Sequence, residues 1–192
     1  QGRHTNFYNW HRGVDTKAKN IPKPKFSDNL WFFFDYQMNT MYWRYFLWNF
    51  SGRQNDIQGF KKEDIKNGNW ITGINWIDKQ RLGSQEELPS SRADNKARNR
   101  FYMLPFLLGL LGAIYHFGKH KKDCSIVMML FFFTGIAIIL FLNQPPFQPR
   151  ERDYAYAGSV FAFAIWIGMG VLALYDMLRN STTEQYKQYA LW

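Results

Sequence analysis

Five consecutive residues, Arg150, Glu151, Arg152, Asp153 and Tyr154, concentrate more potential chemistry than any other stretch of the chain. Two guanidiniums flanking one carboxylate offer forked N–H donors of the kind a phosphate accepts. The carboxylates of Glu151 and Asp153, with the Tyr154 phenol, suit the hydroxyls of a sugar. The same alternation of charge also fits a loop tied to itself by Arg–carboxylate pairs, and the two roles are compatible. Pro145, Pro146 and Pro149 lead into the run and fix an extended path that excludes helix. The segment 143–158 is therefore expected to be an extended, substrate-facing loop.

Such a loop needs a frame, and the flanking sequence supplies one. Cys124 to Leu142 and Ala157 to Tyr175 contain no Asp, Glu, Lys or Arg. Runs of about nineteen apolar residues match the hydrocarbon core of a bilayer at about 1.5 Å of rise per residue. Backbone amides in lipid must bond within their own segment, so both runs are expected to be transmembrane helices. A third run, Phe101 to Phe117, is shorter and carries one ionisable side chain, His116. Expected spans therefore cover about 101–117, 124–142 and 157–178. Lys119, Lys121 and Lys122 crowd the turn between the first and second spans, and loops so enriched face the cytoplasm. That orientation puts 1–100 and 143–158 outside and the tail 179–192 inside. The basic cluster Arg92, Lys96, Arg98 and Arg100 points the other way, although arginines beside a span ordinarily snorkel to lipid phosphates.

The first half differs in character. Residues 1–100 hold 17 of the 24 Lys and Arg and 10 of the 15 acids, a net charge of +7. Basic surface beside a membrane suits anionic headgroups; no nucleic-acid-binding motif is present. Residues 1–29, with Pro22 and Pro24 among lysines, read as an extended connector. Aromatic and Met positions from Tyr36 to Phe50 follow helical spacing, but Arg44, Asn39 and Asn49 interrupt them too often for a span. An interfacial helix on the membrane near 36–50 is expected, with an ordinary aromatic core helix of a soluble domain as the alternative. Arg44 and Arg53 there could meet lipid phosphate or simply anchor the helix. Residues 51–69 read as loop, punctuated by Gly52, Gly59 and Gly68; 69–77 as a second aromatic patch; 78–100 as charged coil. Gly109, Gly112, Gly168 and Gly170 suggest close helix packing. His4, His11, His116 and His120 share no ligand spacing, and the single Cys124 forms no internal disulfide, so neither metal nor cofactor is implied. The polar start, and the return of apolar residues after Tyr186, suit an internal piece of a longer protein.

The string NQPPFQPRERDYAYAGS with the following FAFAIWIGMGV closely resembles a family of multi-pass membrane proteins of Bacteroidota, filed as a domain of unknown function. MYWRYFLWNFSGRQNDIQG (41–59), GNWITGINWID (68–78) and NKARNRFYMLPFLLGLLGAIYH (95–116) are similar to the same family in the same order. The resemblance covers about residues 30–178. That family resembles protein O-mannosyltransferases of the glycosyltransferase-C superfamily. It implies an all-α integral membrane fold: about three transmembrane helices, interfacial aromatic helices and an extended external loop, together a fragment of a larger bundle. It also implies transfer of a sugar, mannose in the related enzymes, from a polyprenyl-phosphate carrier to Ser or Thr hydroxyls of an acceptor protein. The bilayer, the carrier and the acceptor protein are the implied partners, and the bacterial cytoplasmic membrane the implied location. Arg150 and Arg152 become candidate phosphate ligands, with Glu151, Asp153 and Tyr154 as sugar or structural partners. The superfamily's catalytic base lies in an early external loop, so none is carried over to these residues. A non-catalytic component, a transporter or an envelope-assembly scaffold, is the competing expectation. Transporters place ionisable residues within spans, and the two firm runs here hold none.

Overall fold

The computed structural model describes residues 2–13, 23–57, 59, 64–86, 88–146 and 153–189, without the side chains of 2, 3 and 181–189. The chain is mostly helical. Helices α1 (Gly2–His11) and α2 (Phe26–Trp31) precede a continuous aromatic helix, π-helical over Phe32–Trp43 and α-helical (α3) over Arg44–Phe50. Strands β1 (Gly52–Arg53) and β2 (Asn99–Arg100) pair antiparallel, Gly52 opposite Arg100, and enclose α4 (Asn75–Leu82) and α5 (Ser90–Ala93). Then come α6 (Leu104–Lys119), α7 (Lys121–Thr134), α8 (Ile136–Leu142), a 3₁₀ turn (Asp153–Tyr156) and α9 (Ala157–Tyr189).

Among the described residues, two helices are long and apolar enough to cross a membrane: Lys121–Leu142, formed by α7 and α8, and Asp153–Asn180. Only 11% of the most apolar stretch of the first is buried, and 33% of the second. The core helix of a water-soluble domain would be mostly buried, so these faces give support to a membrane location. The span expected over 101–117 is α6, an apolar helix of 16 residues. At about 24 Å it falls short of a hydrocarbon core of roughly 30 Å.

Glycine sets the helix packing. A Cβ at Gly112 would collide with the Trp166 carbonyl, one at Gly170 with the Leu108 carbonyl, and one at Gly109 with the Phe163 ring. α6 and α9 thus run parallel with backbones nearly touching, in the small-residue manner of helices packed in lipid. Gly168, expected in the same role, has open space around it. Phe131 meets Trp166, and Gly135 meets Ser159, so α7–α8 runs antiparallel to α9. At the lysine turn the Tyr115 hydroxyl donates to Asp176 at 2.6 Å, and Lys119 lies 3.7 Å from the same carboxylate.

The sequence reading needs correction in the first hundred residues. Residues 2–11 and 26–31 are helical, not an extended connector, because Phe7 and Tyr8 bury their rings against Phe32 and Tyr36. Asp28 at the third position of α2 accepts the Lys25 backbone N–H at 2.7 Å, half of a capping box. The lysine-rich part, 14–22, lies outside the described residues. Rings assigned to the headgroup layer are instead buried between helices: Phe46 meets Phe163 edge-on at 4.9 Å, and Tyr42 meets Tyr156 at 5.7 Å. Such pairs add about 0.5–1.5 kcal/mol each beyond simple burial. Helix α4 lies where coil was expected from residue 78. Of the segment 143–158, expected to be extended, Asn143 takes a left-handed backbone conformation at φ 38° and Asp153 already begins the turn into α9, while 147–152 lie outside the described residues.

Candidate functional site

The aromatic helix divides two environments. Tyr42, Phe46 and Phe50 face the helix bundle, whereas Arg44 enters the polar lobe formed by residues 51–100. The π-helical turns hand the chain from one set of neighbours to the other: Thr40 Oγ1 donates to the Asp35 carbonyl, five residues back. Long π-helical runs are rare, and π turns concentrate at functional sites. Arg44 is 8% exposed. Its Nε donates to the Thr40 carbonyl at 2.8 Å and its Nη1 to the carbonyls of Gly59 and Gly68 at 3.3 and 3.4 Å. Gly68 has φ +61°, and a Cβ there would press on the Ile57 carbonyl. Only glycine lets this loop close over the guanidinium.

Around that loop the side-chain amides of Asn55, Gln54 and Asn69 are hydrogen-bonded. Asn55 Oδ1 accepts from the Gly68 N–H at 2.8 Å while its Nδ2 donates to the Lys66 carbonyl at 2.9 Å. Gln54 Nε2 donates to the Ile65 carbonyl, and Asn69 Nδ2 donates to Gln54 Oε1. Asp78, 1% exposed, accepts the N–H groups of Thr72 and Gly73, both at 2.8 Å, and so fixes the turn before α4.

The scaffold leaves a cavity of about 260 Å³ lined by Arg44, Arg81, Trp70, Asn67, Asn69 and Thr40 among others. Arg81 stacks 3.6 Å over the Trp70 ring, donates to the Trp70 carbonyl, and lies 3.9 Å from Asp78. Burial pulls its pKa below the usual guanidinium range, and Asp78 opposes that shift. Two buried polar atoms on the lining residues, Arg81 Nε and Asn67 Oδ1, have no hydrogen-bond partner among the described residues. An N–H donor left unpaired beside a second guanidinium costs free energy unless a ligand or water accepts it. Among the described lining residues there is no carboxylate. The described lining thus brings two guanidiniums, an indole and three asparagines together. It suits an anion carrying hydroxyls.

Of the residues singled out from sequence, Arg150, Glu151 and Arg152 lie outside the described residues. Tyr154 is 62% exposed, and its backbone N–H donates to Asp153 Oδ1 at 3.0 Å. Asp153 lies near the aromatic helix: burial first, and then its charge, raise the Tyr45 phenol, and Arg53 opposes them. Arg53 in turn sits 4.1 Å from the Trp48 ring, with Arg44 5.0 Å from the same ring. Asp153 and the two arginines are therefore strung along one helix. At the start of the loop, Gln37 Nε2 donates to Asn143 Oδ1 at 3.0 Å beside a larger groove of about 720 Å³. Arg81, Asn67 and Asp78 escaped the sequence reading. The only signal was a cluster of Asn and Gly between residues 52 and 69, which read as loop punctuation.

Comparison with protein-family models, curated proteins and solved structures finds no match.

Proposed function

We propose that this chain is the carrier-binding membrane part of a glycosyltransferase, moving a sugar from a polyprenyl-phosphate to Ser or Thr hydroxyls of a protein. The observation that carries the reading is the Arg44–Arg81–Trp70 cavity, joined through one helix to the loop that resembles the membrane family. In such a transfer the acceptor oxygen attacks the anomeric carbon while the bond from that carbon to the phosphate oxygen breaks. The phosphate leaves with the electron pair, and the acceptor proton passes to a base. Guanidiniums fixed beforehand stabilise the charge that grows on the leaving phosphate. Trp70 offers an apolar face to the sugar ring, and Asn67 and Asn69 offer amides to its hydroxyls. Arg150 and Arg152 are proposed as further phosphate ligands, with Glu151, Asp153 and Tyr154 toward the sugar. We assign no catalytic base within these residues.

The location proposed with this function is the bacterial cytoplasmic membrane, with 1–100 and 143–158 on the periplasmic side. Support comes from the helix directions: α6 leads away from the polar lobe to the lysine turn, and α7–α8 returns to Asn143. A second reading, a non-catalytic membrane component, draws on Arg44, whose guanidinium donates to the carbonyls of Gly59 and Gly68 as a structural staple's would.

The two separate on Arg81. Binding of polyprenyl-phosphate mannose to the chain in nanodiscs, read from tryptophan fluorescence, should weaken about 10–100-fold in Arg81→Ala, the loss of a charged hydrogen bond worth about 1.5–3 kcal/mol. Circular dichroism should stay unchanged. Unaltered affinity, or no affinity in the parent chain, would favour the non-catalytic component.

A further inference from the structure

The polar lobe meets α6 at a turn of unusual build. Tyr102 and Met103 both take left-handed backbone conformations, at φ 55° and 58°. Residues with side chains pay roughly 1–2 kcal/mol each for that region, and such strain persists where the surroundings demand it. Here it aims apolar side chains outward. Tyr102 is 51% exposed, Leu104 65% and Phe101 39%. Gly73, at φ +81°, lies against the Tyr102 ring, so that a Cβ there would sit 3.3 Å from it. Ile74 and Trp76, one and three residues further, are 42% and 72% exposed. This patch continues the exposed stripe of α6, Leu107, Leu110, Ile114 and Phe117. It also lies at the end where α6 is too short for the hydrocarbon core, by roughly 6 Å. Arg100 and Lys96 are exposed nearby, with Asp94 close in sequence and Glu86 accepting from the Asn75 amide between Ile74 and Trp76.

We propose that Ile74, Trp76, Phe101, Tyr102 and Leu104 form an anchor that seats the polar lobe in the headgroup–acyl boundary of an anionic bilayer. The proposal rests on the reading of α7–α8 and α9 as membrane spans. Indole and phenol rings favour that layer, where the ring is buried and its polar atom stays wet. The cationic residues beside them match anionic headgroups. The anchor makes up the missing length of α6, so a short helix spans without thinning the bilayer. It also holds the floor of the arginine cavity at a fixed depth, since Asp78 and Arg81 belong to the same helix as Trp76.

The test uses the whole chain in phosphatidylcholine–phosphatidylglycerol vesicles, spin-labelled at Trp76→Cys or Tyr102→Cys in a Cys124→Ala background. Met129→Cys, on the exposed face of α7, is the control for the spans. Collisions with oxygen should exceed those with a water-soluble nickel chelate at 76 and 102, as at 129. Nickel exceeding oxygen at 76 and 102, with 129 still in lipid, would overturn the anchor alone. A label at 76 shielded from both would mean a protein partner covers the patch, and would also overturn it. Nickel access at 129 would remove the membrane reading and the anchor together. Quenching of the parent chain's fluorescence by shallow-brominated lipid, compared with Trp76→Phe, gives the same answer without cysteine. The Trp76 share of the quenching should be lost in the variant, and equal quenching of both proteins would contradict the anchor.

Discussion

Tyr42 shows at residue scale how the aromatic helix is held. It is fully buried between the bundle helices, close to Gly135 and Ser159. Burial pushes its phenol up to about 12, partly offset by the Ser159 hydroxyl. The folded chain therefore favours the neutral phenol more than the unfolded chain does. The stability this confers is fully present below pH 10 and lost as pH rises toward about 12. The loss from Tyr42 should reach roughly 2 kcal/mol; Tyr42→Phe should remove this share and leave that of Tyr156, whose phenol burial also pushes up to about 12. Thermal unfolding in detergent across that alkaline range checks both, and an identical profile in the variant would contradict the account. Legibility at this scale was uneven. Arg44 and Arg53 stood out in sequence because each is a lone charge near an aromatic stretch. Arg81, Asp78 and Asn67 did not, because their partners are backbone groups and rings brought close only by loop closure, which leaves no spacing to read.

At the scale of elements, the charge-free runs were plain in the sequence because lipid-facing helices need neither alternation nor caps to be recognised. The helix over 32–50 was legible as a helix but not in its environment. About half of its positions are aromatic, so the same pattern suits a membrane surface or a core. The π-helical turns left no trace, since the spacing of Met38, Met41, Tyr42, Tyr45 and Phe46 already satisfies an ordinary helix. Helix α1 was missed because Phe7, Tyr8 and Trp10 among polar residues give little periodicity. The α6–α9 seam is the most exacting contact, and its glycines carry the prediction for this scale. Gly112→Leu should separate the helices and lower the unfolding midpoint sharply, at a cost of several kcal/mol, more than the about 1–3 kcal/mol typical of overpacking. Gly168→Leu, facing open space, should leave the midpoint nearly unchanged. Equal loss in both variants, measured by thermal unfolding in the same detergent, would mean the backbones are not in contact.

At the scale of the whole molecule, one end of a helical bundle carries a polar lobe with a cationic cavity, and the other carries lysines and Asp176. The aromatic helix joins lobe and bundle, so the cavity's position relative to a membrane follows from how that helix is buried. The proposed reaction rests on the resemblance, and the cavity is the place proposed to hold a phosphate-linked sugar. The most direct measurement of the central claim is transfer of labelled mannose from polyprenyl-phosphate mannose to a Ser/Thr acceptor by the protein that contains this chain. The reading predicts transfer in the parent protein, a fall of about 10–100-fold in Arg81→Ala, and an intact fold in both. No transfer from polyprenyl-phosphate mannose by folded parent protein, or full transfer by Arg81→Ala, would contradict it.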